Sequence, residues 1–131
     1  MTLKEKKIKI IAVQLLFNKA IIERDGKCVI CGKTSGLQCS HFYTVGAHSG
    51  LRFDPRNAHA MCAGCHLKHH NSDPLMYAKW MQENRPDDLA HITGIKNKPI
   101  RYSQAWLGGV RHIIKERLWN DLVEYLGELR G

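Results

Sequence analysis

Cys28-Val-Ile-Cys31-Gly32, Leu37-Gln-Cys-Ser-His41-Phe-Tyr43, Arg52-Phe-Asp-Pro-Arg-Asn57 and Cys62-Ala-Gly-Cys65-His66-Leu-Lys-His69-His70 follow one another through the 131-residue chain. Two Cys-x-x-Cys pairs bracket His41 and Asn57, and His66, His69 and His70 follow directly on the second pair. A Cys-x-x-Cys turn places two thiolates about one tetrahedral edge apart. Two such turns complete a closed four-cysteine zinc site at Cys28, Cys31, Cys62 and Cys65, whose role is folding rather than reactivity. Buried, unliganded cysteines are the competing reading, and the double spacing argues against it. Residues 32–61 separate the pairs, a longer gap than in simple zinc ribbons, so an inserted element is expected there. Cys39 is left over and reads as a packed free thiol.

Outward from this stretch, the length suits one domain, 1–131, with a modest core that metal stapling would help. It divides into an N-terminal helix (1–27), a zinc-bound core (28–72) and a helical C-terminal part (73–131). The formal charge of +8 makes a polyanion the expected large partner, because clustered Lys and Arg release condensed counterions on binding phosphates. Five cysteines, four of them paired, fit metal ligation better than a disulfide framework, and the expected compartment is the cytoplasm. Lys4 to Lys9 followed by Ile10 to Phe17 imitates a signal peptide, but Gln14 interrupts the run and no small-x-small cleavage site follows. No apolar run approaches the roughly 20 residues of a membrane span.

The N-terminal segment predicts a helix from about Leu3 to Arg24, with Thr2 and Glu5 spaced as a capping box and Gly26 as the stop. Lys4, Lys6, Lys7 and Lys9 read as a solvated face or as contacts to DNA backbone. Between Cys28 and Met61 the apolar pattern loses its helical period. Glycines punctuate two segments that pair as a hairpin, the first strand Leu37 to Thr44 and the second starting at Leu51 to Phe53. Ala63 to Asn71 regains helical character. Asp73 and Pro74 then open a helix over Leu75 to Asn84, followed by Pro86 to Ile92, a loop from Gly94 to Pro99, and one long helix from about Ser103 to Leu129. Gly108-Gly109 marks a kink or a close helix contact, and Trp80, Trp106 and Trp119 read as core or interface anchors rather than base-stacking platforms.

Within the first strand, His41 is a candidate general base, since neutral imidazole titrates near working pH. His66 and His70, spaced i to i+4, project from one helical face, with His69 a neighbour; alone, this cluster reads equally as a metal site or a basic surface. Asn57 can bridge backbone groups of the hairpin. Arg52 and Arg56 are candidate phosphate contacts, and Asp54 is placed to pair with either Arg or to approach a metal.

The ordered set His41, Asn57 and His66, with eight residues between the last two, resembles the HNH family of ββα-metal endonucleases. The runs Ser40-His41-Phe-Tyr, Leu51-Arg-Phe-Asp-Pro-Arg-Asn57-Ala-His59 and Met61-Cys-Ala-Gly-Cys65 are also similar to the phage Rap/NinG recombination nucleases, and more distantly to phage endonuclease VII. The resemblance covers residues 28 to about 71. It implies an α+β fold with a ββα-metal core surrounded by helices, and a metal-dependent DNA endonuclease of a phage, acting in the bacterial host cytoplasm on duplex or branched DNA. His41 matches the general base, Asn57 the residue that orients the motif, His66 the helix metal ligand, and His70 a second helix ligand found in His-rich members. The implied catalytic ion is Mg²⁺, Mn²⁺ or another divalent metal, beside the structural Zn²⁺. The sequence departs from the pattern at Ser40, where an Asp or His ligand is common, and at His66, where Rap/NinG-like members carry Asn. The alternative of another class is a non-catalytic zinc-ribbon DNA-binding or adaptor module.

Overall fold

The computed structural model describes residues 7–131. Its elements are α1 (Ile10–Asp25), β1 (Leu37–His41), β2 (Ala58–Cys62), α2 (Ala63–His70), α3 (Leu75–Asn84), α4 (Pro86–Ile95), α5 (Gln104–Lys115) and α6 (Trp119–Arg130), with short 3₁₀ turns at Ser49–Leu51 and Pro55–Asn57. The fold is α+β: a two-stranded antiparallel sheet, with Leu37 opposite Cys62 and His41 opposite Ala58, lies among the helices.

All five residues of β2 are buried, because both faces of the sheet are covered. One core gathers Val13, Phe17 and Ile21 of α1 with Phe53, Val110, Ile114, Leu122 and Leu126. The other gathers Leu51, Met61, Tyr77, Met81 and Ile92 with Cys28, Cys62 and Cys65. Each fully buried Leu, Ile or Phe contributes about 1.5–3 kcal/mol. The sheet is thus held from two sides, which fixes α2 against β1.

Several expectations change. Helix α1 starts at Ile10, because Lys9 is extended at φ −89° and ψ 128°. The side-chain amide of Gln104 holds the backbone of Ile8 in both directions, at 2.7 and 2.9 Å. Thr2, Glu5, Lys4 and Lys6 lie outside the described residues. The stop at Gly26 is as expected, with φ +68°.

The second strand is Ala58–Cys62, not a run starting at Leu51. Asp54 caps the Pro55–Asn57 turn by accepting from the Arg56 backbone N–H at 3.0 Å, and this turn takes Leu51 and Phe53 out of any ladder. The two side chains plug opposite cores instead. The first strand is likewise shorter, ending at His41 rather than Thr44.

The expected C-terminal helix is two helices. Arg117 adopts φ +57° between α5 and α6, and its guanidinium donates to the Ile114 carbonyl at 2.7 Å, closing the end of α5. The helices fold back so that Gly109 meets the Tyr125 ring, where a Cβ would collide; this is the close contact the glycine pair predicts.

Helix α3 has the expected bounds, although no side chain caps its start, and α4 runs on through Gly94 to Ile95. Trp80, Trp106 and Trp119 are partly buried against the two cores, as anchors.

Candidate active site and metal centre

The zinc knuckles come together as their spacing predicts. The sulfur atoms of Cys28, Cys31, Cys62 and Cys65 all lie within 4.8 Å of one another. Cys31 Sγ and Cys62 Sγ are 3.7 Å apart, close to the roughly 3.8 Å edge of a tetrahedron with Zn–S bonds of about 2.3 Å. Burial opposes ionisation of Cys28, but the backbone N–H groups of Cys31, Cys62 and Ile30 outweigh it and bring its thiol down to about 6. The backbone N–H of Cys65 likewise lowers Cys62. Cys65 is pushed up to about 12, by burial first and then by the three neighbouring sulfurs. Four thiolates at this spacing need a cation between them, so the donor set fits structural zinc. Cys39 is a packed thiol, raised to about 12 by burial.

His41 ends β1 and stacks on the Phe17 ring of α1, with centroids 5.9 Å apart. Its Nε2 lies 3.3 Å from the Arg52 carbonyl, an acceptor only, so Nε2 carries the proton and Nδ1 keeps the basic lone pair. Burial pushes the imidazole down to about 4, with a further push from the Arg52 guanidinium and from His66. His41 is therefore neutral throughout the physiological range, with its Nδ1 lone pair free.

Helix α2 presents His66 and His70 on one face, their Nε2 atoms 3.0 Å apart. Two nitrogens at right angles around one ion, each about 2.1 Å from it, stand roughly 3.0 Å apart, so the pair has the spacing of two ligands of one cation. His66 Nδ1 lies 2.7 Å from the side-chain oxygen of Gln38 on β1. That oxygen accepts a hydrogen bond, which places the His66 proton on Nδ1 and leaves Nε2 free to ligate. Burial first, and then the neighbouring His70, hold the pKa of His66 below the ordinary imidazole value. Among the described residues, only the four cysteines form a cluster of three or more His, Cys, Asp or Glu donors close enough to share an ion. His69 turns away and packs edge-on to Tyr77.

Asn57 clamps the loop that joins the strands. Its side-chain oxygen accepts from the Tyr43 N–H at 2.8 Å, and its amide donates to the Tyr43 and Leu51 carbonyls at 3.0 and 3.4 Å. Ser40 points to the other side of the sheet from His41: it is fully buried opposite His59, and its hydroxyl has no partner among the described residues.

The two arginines differ. Arg56 turns inward and grips the fully buried Asp54 through Nε and Nη2 at 3.0 and 2.8 Å, and Arg130 reaches the same carboxylate at 3.4 Å. Arg52 donates through Nε to Gln14 at 3.0 Å, and its terminal amino groups make no hydrogen bond among the described residues.

Two residues to which the sequence gives no role in the site complete it. Gln14 receives Arg52 Nε, donates to the Arg52 carbonyl at 3.0 Å, and sits 3.4 Å from His41 Nε2, so one carboxamide fixes both ends of Arg52 beside His41. Its signal was a polar residue alone in the apolar run Ile10 to Phe17. Gln38 gave no local signal, being a polar residue on an exposed strand position.

No curated protein and no solved structure shows a significant match to the chain. Residues 1–85 match the NinG family, described as Bacteriophage Lambda NinG protein. Since that match takes in all four clustered cysteines together with His41, Asn57, His66 and His70, the chain belongs to the NinG family of phage proteins.

Proposed function

We propose that the chain is a metal-dependent DNA endonuclease of the HNH type, in which β1, β2 and α2 form the ββα-metal core, serving phage DNA recombination or processing in the host cytoplasm. The observation that carries the reading is the His66–His70 pair, with Nε2 atoms 3.0 Å apart and His66 oriented by Gln38, on the helix beside the strand that holds neutral His41.

His41 Nδ1 takes the proton from a water molecule, and the hydroxide so formed attacks the phosphorus in line with the 3′ oxygen, which leaves and gives a 5′ phosphate. His66 and His70 would hold Mg²⁺, Mn²⁺ or another divalent ion, imidazole favouring the softer ones. That ion supplies positive charge for the transition state and the departing oxygen. Arg52, held by Gln14, directs its free amino groups to the phosphate, while Asn57 keeps the His41 strand in place. Arg56 acts on DNA only through its field, its fork being taken by Asp54.

The test is nicking of supercoiled plasmid by the zinc-loaded protein with each divalent metal in turn. Wild type should nick and His41→Ala should not, with unchanged zinc content. Equal rates for the two would remove His41 as the base. No nicking, with one metal per chain under saturating Mn²⁺, would assign the fold to a non-catalytic DNA-binding or adaptor module.

A further inference from the structure

We propose that the cleft between the segment preceding α1 and helix α5 binds a single unstacked nucleotide next to the scissile phosphate, so that the preferred substrate is DNA with an unpaired nucleotide there. This rests on the nuclease reading above. The cleft has a volume of about 470 Å³, in the range of small-ligand sites. Its walls include Ile8, Tyr102 and Leu107, and its rim carries Lys7, Lys9 and Arg52. No acidic side chain among the described residues lines it. The Tyr102 hydroxyl is buried without a hydrogen-bond partner among the described residues, and the residue lines the cleft.

Apolar walls under a rim whose charged groups, among the described residues, are all cationic fit a ligand that is planar and apolar at one end and anionic at the other. A nucleotide has that shape: its base packs on the walls and its phosphate meets the rim. A base within a paired duplex has both faces stacked, and only one already out of the stack enters without a large penalty.

The position of the cleft ties it to the candidate active site. Arg52 belongs to both, since its carbonyl faces His41 Nε2 at 3.3 Å while its side chain lines the cleft. A strand whose phosphate sits at Arg52 therefore has its neighbouring nucleotide at the cleft mouth. The wall on the α1 side is irregular backbone, yet it is held, because Gln104 hydrogen-bonds both the N–H and the C=O of Ile8.

The probe is a duplex carrying one 2-aminopurine, either paired with thymine or left unpaired as a bulge, titrated with zinc-loaded full-length protein without a catalytic metal. The expected result is roughly tenfold tighter binding of the bulged duplex, with quenched 2-aminopurine emission as the base leaves water for the cleft. In Ile8→Trp, which fills the mouth, the preference should fall to about one; circular dichroism and zinc content check the fold, and Gln104→Ala, which frees the wall, should reduce it similarly. Equal binding of the two duplexes by wild type, or an undiminished preference in a folded Ile8→Trp, overturns the nucleotide site and leaves the nuclease reading intact. Failure to bind either duplex overturns both.

Discussion

Gln38 and His66 meet across the junction of β1 and α2, the Gln38 side-chain oxygen 2.7 Å from His66 Nδ1. That one hydrogen bond sets the tautomer of His66 and aims its Nε2 at the space shared with His70. Gln38→Leu should therefore weaken binding of Mn²⁺ at the His pair by roughly 10–100-fold, as loss of an outer-shell partner does. Calorimetric titration of Mn²⁺ into zinc-loaded protein measures it. Since Gln38 is exposed, the melting temperature should barely move, and unchanged Mn²⁺ affinity would detach Gln38 from the metal site.

Cys62→Ser should lose zinc and with it the fold. Structural zinc in small sites contributes apparent binding energies of about 10–16 kcal/mol, as large as the whole stability of an ordinary domain. Cys62 also ends β2 and accepts the Cys65 N–H at 3.4 Å, so strand, knuckle and α2 fail together. Metal content and far-ultraviolet circular dichroism report the outcome; full zinc occupancy in the variant would remove Cys62 from the ligand set.

Asp54 is fully buried and neutralised by Arg56 and Arg130. Asp54→Ala leaves two guanidinium groups without their anion and frees the cap of the turn before β2, at a cost of about 3–5 kcal/mol. Denaturant unfolding of the zinc-loaded variant should show it. A loss below about 1 kcal/mol would mean that water replaces the pair, as at exposed ion pairs.

His59 predicts part of the acid sensitivity. It is buried, its Nδ1 lies 2.6 Å from the Tyr77 hydroxyl, and burial holds it down to about 3. An unfolded His titrates near 6.5, so below that pH the unfolded chain binds a proton that the folded chain refuses. Stability is thus complete above about pH 6.5 and falls by about 1.4 kcal/mol per unit as pH drops towards 3. His59→Gln should flatten the acid limb by about one proton between pH 6 and 4. Zinc release followed in parallel separates thiolate protonation from this effect, and identical slopes for variant and wild type would refute it.

Much of this architecture was legible where the signal is local. The paired Cys-x-x-Cys turns gave the four-sulfur cluster, and the bounds of α2 and α3 followed from helical period and the Ser72-Asp73-Pro74 break. The second strand was not legible, because Ala58-His-Ala-Met-Cys62 is covered on both faces and shows no alternation. The break at Arg117 was equally hidden, since the apolar stripe runs on through it and a non-glycine residue takes the left-handed conformation.

By itself, then, the sequence determined what short covalent spacing controls: which sulfurs can share one ion, and that His66 and His70 lie on one face of a helix. Only the tertiary structure decided which arginine is spent on a buried carboxylate, which carbonyl meets His41, and which glutamines orient the site. Gln14 reaches the Arg52 carbonyl across 38 residues and Gln38 reaches His66 across 28. Hydrogen bonds over such separations exist only once two cores have packed on opposite faces of one small sheet, and no local pattern encodes their partners.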